Sequence, residues 1–115
     1  IGILSTIAFG FYGDNVIASN RAEGRGELTQ AAATLEKCKS LYGAYNNANC
    51  SLVLPFTTAT NYYSIDQTTL TNTQFTLVAT PVVGQPQAND TDCTSLSLTN
   101  TGFKAGTGAD STVCW

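Results

Sequence analysis

Hydrophobic and polar positions follow two regimes along this chain, with a boundary near residue 60. Residues Ile1 to Tyr12 are uncharged and mostly apolar. Beyond them the apolar positions step by three and four. Val16, Ile17, Leu28, Ala31, Ala32, Leu35, Cys38, Tyr42 and Tyr45 line one face, with Arg21, Glu23, Arg25, Glu27, Glu36 and Lys37 on another. That spacing predicts one helix over residues 1–45, greasy at its start and amphipathic at its end. Gly43 and the Asn46-Asn47 pair are its stop signal. Glycines at 2, 10, 13, 24 and 26 interrupt it, each at a cost of ~1 kcal/mol relative to alanine. Gly10 and Gly13, which flank Phe11-Tyr12, mark where the helix is expected to loosen.

Residues 46–60 read as a connecting loop, and beyond it the period changes to two. Tyr62 to Ile65 is expected to form a short strand, with Asp66-Gln67 opening a turn. Gln74 to Thr80 alternates with Phe75, Leu77 and Ala79 on one face, and Pro81 ends the strand because it has no N–H to donate. Cys93 to Thr99 alternates through Leu96 and Leu98. Asn100-Thr101-Gly102 turns the chain, Phe103 is expected to return to the core, and Lys104 to Thr112 reads as a Gly-rich loop. The result is an α+β fold: one long N-terminal helix packed on a three- to four-stranded antiparallel β-meander. At 115 residues this is a single domain over 1–115, with its sheet and C-terminal loop in residues 61–115.

Composition narrows the function. Charged residues make up 11% of the chain and the formal net charge is −3, so a general nucleic-acid binder with clustered basic residues is disfavoured. Eighteen threonines carry much of the solvation instead. The four cysteines, Cys38, Cys50, Cys93 and Cys114, form no C-x-x-C pair and there is no histidine. They read as two disulfides formed outside the cytosol. Three pairings are open; Cys38–Cys50 with Cys93–Cys114 is preferred because each closes a local loop, for ~3 kcal/mol apiece on chain-entropy grounds. The opening twelve residues fall short of the ~20 that span a bilayer. No charged n-region or cleavage site marks them as a secretory signal. The chain is therefore expected to start in mid-helix, with an apolar segment upstream.

Little catalytic chemistry is on offer. Without histidine, the familiar triads and His-dependent metal sites are excluded. Asp90 and Asp92 are the one close carboxylate pair, too few with Asp66 or Asp110 for the six to eight ligands of calcium. Gly106-Thr107-Gly108 lacks the rest of a phosphate-binding loop. Asn49-Cys50-Ser51 and Asn89-Asp90-Thr91 match a glycosylation sequon that chance supplies easily in an Asn/Thr-rich chain. No cofactor, metal or catalytic residue is expected, and the chain is not read as an enzyme. Lys37, Lys39 and Lys104 form at most a thin basic stripe for DNA.

The opening Ile1-Gly2-Ile3-Leu4 with Ile7-Ala8, then Tyr12, Val16 and Ser19-Asn20-Arg21-Ala22-Glu23, resembles the N-terminal helix of bacterial type IV pilins. Tyr63-Ser64-Ile65, Phe75 to Pro81, Asp92 to Leu98, Gly102 and Cys114-Trp115 resemble the PilE/ComP-like branch of that family. The resemblance implies the type IV pilin fold and a processed precursor held in the inner membrane. It also implies incorporation into an extracellular pilus through a bundle of N-terminal helices. Ile1, Ile3, Leu4, Ile7, Phe9, Phe11, Tyr12, Val16 and Ile17 would then be the assembly segment, with Gly10 and Gly13 loosening it in the fibre. Partners would be other copies and other pilins. The leading expectation is a structural subunit of a type IV pilus, serving adhesion, twitching motility or DNA uptake at the level of the filament. The alternative is a ComP-like DNA-uptake receptor, and a weaker one a type II secretion pseudopilin.

Overall fold

The computed structural model describes residues 2–50 and 52–115, with side chains from Val16 onward. The first element is α1, Gly2–Tyr42, 41 residues long. At 1.5 Å per residue it spans about 60 Å, which accounts for the molecule's longest dimension of 59 Å. Gly43 ends it in the left-handed region (φ 80°) and donates its N–H to the Lys39 carbonyl at 2.7 Å, a closure open to glycine at little steric cost. Helix α1 is continuous past Gly10 and Gly13 in the isolated subunit.

Five strands form one antiparallel sheet in sequence order: β1 Phe56–Thr57, β2 Tyr63–Leu70, β3 Phe75–Pro81, β4 Ser95–Thr99 and β5 Lys104–Thr107. The expected three- to four-stranded meander thus gains a strand at each edge. Phe56-Thr57 pairs with Ser64 and Ile65 from within the presumed connecting loop. Residues 104–107, expected as loop, pair with Ser95 to Leu98. Asp66-Gln67 does not turn the chain either. The strand continues to Leu70 across a register shift between Gln67 and Thr69, and the turn falls at residues 71–74, closed by Thr71 N to the Gln74 carbonyl at 2.8 Å.

Alternation then sets what is buried. Tyr63, Ile65, Phe75, Leu77, Ala79, Leu96 and Leu98 point inward and meet Leu28, Ala31 and Leu35 of α1. Tyr42 does not complete the helical stripe and is 46% exposed. Its expected place is taken by Tyr45 after the Gly43 turn, packed edge-on against Phe75 with ring centroids 4.9 Å apart. Phe103 is exposed rather than in the core. Register explains this: Lys104 pairs with inward-facing Leu98, so Phe103 belongs to the outward set.

Both preferred disulfides form, Cys38–Cys50 and Cys93–Cys114. The second closes the C-terminal segment onto β5. An added Cβ at Gly106 would collide with Cys114 Sγ and lie 3.0 Å from the Ser95 carbonyl. Trp115 packs against the core and donates its indole N–H to the Ala105 carbonyl at 2.7 Å, covering the inner side of an edge strand that has little side chain of its own.

Candidate functional site

Three places on the molecule carry its candidate functional residues. The first is the N-terminal half of α1. Ile1, Ile3, Leu4, Ile7, Phe9, Phe11 and Tyr12 fall outside the residues whose side chains are described; Val16 and Ile17 are half-buried. Among the described residues, the most N-terminal hydrogen bond from α1 to the body is made at the Ile17 carbonyl. The described helix runs back about 22 Å from that contact to Gly2. Among the described residues no helix is long and apolar enough to cross a membrane.

The second place is where α1 leaves the body, and no sequence pattern announced it. A short 3-10 turn, Pro86–Asn89, with proline seeding its first position, brings Gln87 and Asp90 against the helix. Arg21 donates from Nε to Asp90 Oδ2 at 2.6 Å and from Nη2 to Oδ1 at 2.7 Å. The Asp90 side chain is 1% exposed and that of Arg21 14%. The fully buried Gln87 donates its amide to the Ile17 carbonyl at 3.0 Å and to the Tyr63 hydroxyl at 2.9 Å. Burial pushes the Tyr63 phenol up to about 12, opposed by the Gln87 hydrogen bond and by Arg21 and Arg25, and helped by the Asp90 charge. The hydrogen bond that Arg21 donates to Asp90, with that carboxylate's charge, holds the Arg21 guanidinium above its ordinary value against the cost of burial. Gly24 lets the helix lie on the Tyr63 ring, since an added Cβ would sit 3.2 Å from it. Together these contacts clamp residues 86–93 to α1, with Cys93 donating its N–H to Asp90 Oδ1 at 3.3 Å. Asp90 is therefore committed to the fold.

The third place is the opposite end of the body, where α1 stops. Lys39 reaches the Asn72 carbonyl in the β2–β3 turn at 3.4 Å and lies 5.1 Å from the centroid of the Tyr45 ring. The β4–β5 turn lies beside the start of β3, through Asn100 N to the Phe75 carbonyl at 3.1 Å and Phe75 N to Asn100 Oδ1 at 3.2 Å. Lys104 follows that turn and stands over Trp115 at 5.3 Å. Lys37 and Lys39 stand near the C-terminal end of α1, Lys37 lining a hollow with Asn49 and Cys50, and Lys104 sits across the sheet on edge strand β5. They do not form a stripe, because Lys37 and Lys39, two residues apart on a helix, project about 200° from one another. Arg25 donates to the Cys114 carbonyl at 3.3 Å, one residue from the Trp115 ring that lies under Lys104.

Comparisons with known proteins agree with this architecture. A family model described as type IV minor pilin ComP, DNA uptake sequence receptor, matches residues 11–97. A solved structure of the Neisseria meningitidis non-core minor pilin PilV superposes with a TM-score of 0.61 at 20% identity, covering 84% of this chain and 91% of that one. No curated protein matches by sequence.

Proposed function

This chain belongs to the family of the type IV minor pilin ComP, and from that premise we propose that it is a minor subunit of a cell-surface pilus, held there by the first half of α1. The observation that carries this reading is the length of helix beyond the Ile17 contact, uncharged and mostly apolar from Ile3 to Tyr12, which suits burial among the helices of other subunits. Other copies and other pilins are its partners, and the inner membrane holds the precursor. Gly10 and Gly13 are the points at which the helix gives way on entering the fibre. Photo-crosslinkers placed at Phe9 and Phe11 in cells test the reading. Adducts to other pilins in sheared filaments are expected, and a subunit that stays monomeric overturns it.

A second reading, direct reception of DNA, is favoured by the matching family, that of a DNA uptake sequence receptor, with Lys37, Lys39 and Lys104 as the candidate contacts. A duplex held by about three lysines loses affinity with salt at a slope near −0.9 per phosphate neutralised. Retention of binding in a Lys37→Gln, Lys39→Gln, Lys104→Gln variant removes this reading.

A further inference from the structure

We propose that the hollow beside the Cys38–Cys50 bridge is a modification site, at which a small anionic thiol couples covalently to Cys50. The inference is independent of the pilin reading and concerns the end of the body where α1 stops.

Thr34, Lys37, Cys38, Leu41 and Tyr42 recur at steps of three and four along α1 and so share one face. That face and the Asn49-Cys50 pair border an open hollow of about 220 Å³, with both sulfur-bearing residues of the bridge in its wall. Cys38 is 4% exposed, whereas Cys50 is half-exposed, so an incoming thiolate meets the Cys50 sulfur first. Cys93 and Cys114 are fully buried and offer no such approach.

Charge selects the reagent. Among the described residues, Lys37 is the one charged side chain that lines the hollow. Lys39 is turned away, to the Asn72 carbonyl at 3.4 Å and the Tyr45 ring. The neighbouring carboxylate, Glu36, accepts a hydrogen bond from the Tyr45 hydroxyl at 2.9 Å. An ammonium group at the mouth of an otherwise neutral hollow draws in anions and repels cations.

In the step itself, the reagent's thiolate sulfur forms a bond to Cys50 Sγ and the Cys38–Cys50 bond breaks. The electron pair of that bond leaves with Cys38 as a thiolate. Cys38 lies about one turn from the C-terminal end of α1, where the helix dipole opposes negative charge. Lys37 supplies the compensating cation. The product is a mixed disulfide at Cys50 and, once a proton is taken up from water, a free thiol at Cys38. Tyr45 remains packed on Phe75 and bonded from its N–H to the Asn72 carbonyl at 3.3 Å. The modification therefore releases the 46–50 segment from α1 without opening the core.

The test treats the oxidised full chain with thiols of matched size: 2-mercaptoethanesulfonate (anionic), 2-mercaptoethanol (neutral) and cysteamine (cationic). Early time points are quenched in acid, unfolded, alkylated and mapped by mass spectrometry, with rates scaled to each reagent's thiolate concentration. The adduct is expected on Cys50. The ratio of sulfonate to amine rates should fall on the order of tenfold in Lys37→Gln, hold in Lys37→Arg and stay unchanged in Lys39→Gln. Comparing each variant with the wild type cancels the reagents' own reactivities. Lys37 is exposed, and near-ultraviolet circular dichroism checks that each variant is folded. A first adduct on Cys38, Cys93 or Cys114 overturns the proposal, as does a ratio that Lys37→Gln leaves untouched or that Lys39→Gln lowers equally.

Discussion

Arg21 on α1 and Asp90, 69 residues later, meet in a two-pronged ion pair that ties the departing helix to the loop between β3 and β4. Truncating one partner strands the other charge in a nearly dry site. Asp90→Ala is therefore expected to cost about 3 kcal/mol in urea unfolding. Replacing both partners with apolar residues, Arg21→Met with Asp90→Leu, should cost less than half as much, because no orphaned charge remains. Equal losses in the single and double variants contradict this account.

Two helical glycines should answer oppositely to alanine. Gly26 is exposed with nothing within 4 Å of an added Cβ, so Gly26→Ala should raise stability by up to about 1 kcal/mol. Gly24 faces a Tyr63 ring pinned by the core and by Gln87. Gly24→Ala is expected to lower the melting temperature despite its better helix propensity.

Tyr63 links stability to alkaline pH. Its phenol ionises at about 12 when folded and near 10 in an unfolded chain. Above pH 10 the unfolded state loses its proton first, so stability is fully present below that point and declines as pH climbs to about 12. The loss amounts to about 2–3 kcal/mol. Unfolding measured across this window should show the decline in the wild type and a shallower one in Tyr63→Phe. A titration of tyrosinate absorbance should lose its last step in the same variant.

The two disulfides differ in access. Cys93 and Cys114 are fully buried, whereas Cys50 is half-exposed beside the 43–50 turn. Under mild reduction with alkylation and peptide mapping, Cys38–Cys50 should open first. Its replacement by a serine pair should cost about 3 kcal/mol, that bridge closing a short loop.

How much of this was legible in the sequence varies with the physics involved. The Leu28-Ala31-Leu35 stripe and the Phe75-Leu77-Ala79 alternation were readable because burial on one face imposes a period. The disulfides were readable from loop length. Strand β5 was not, since Lys104-Ala105-Gly106-Thr107 carries no large apolar side chain to show a pattern; Cys114 and Trp115 cover that strand in its place. Phe103 was misassigned because hydrophobicity alone does not reveal register. The Arg21–Asp90–Gln87–Tyr63 cluster left no local trace at all. Each member is ordinary in its own segment, and only the tertiary approach of the 86–93 segment to α1 gives them one purpose.

That clamp also has a mechanical meaning. A subunit gripped by the first half of α1 and pulled by its body carries the load through whatever joins the two. Tension enters the body at Ile17, where Gln87 holds the helix carbonyl, and passes from Arg21 through Asp90 into a segment stapled to the C-terminus by Cys93–Cys114. The sheet hydrogen bonds lie downstream of that staple. The covalent bridge sits where a stretched fibre would otherwise begin to unravel each subunit.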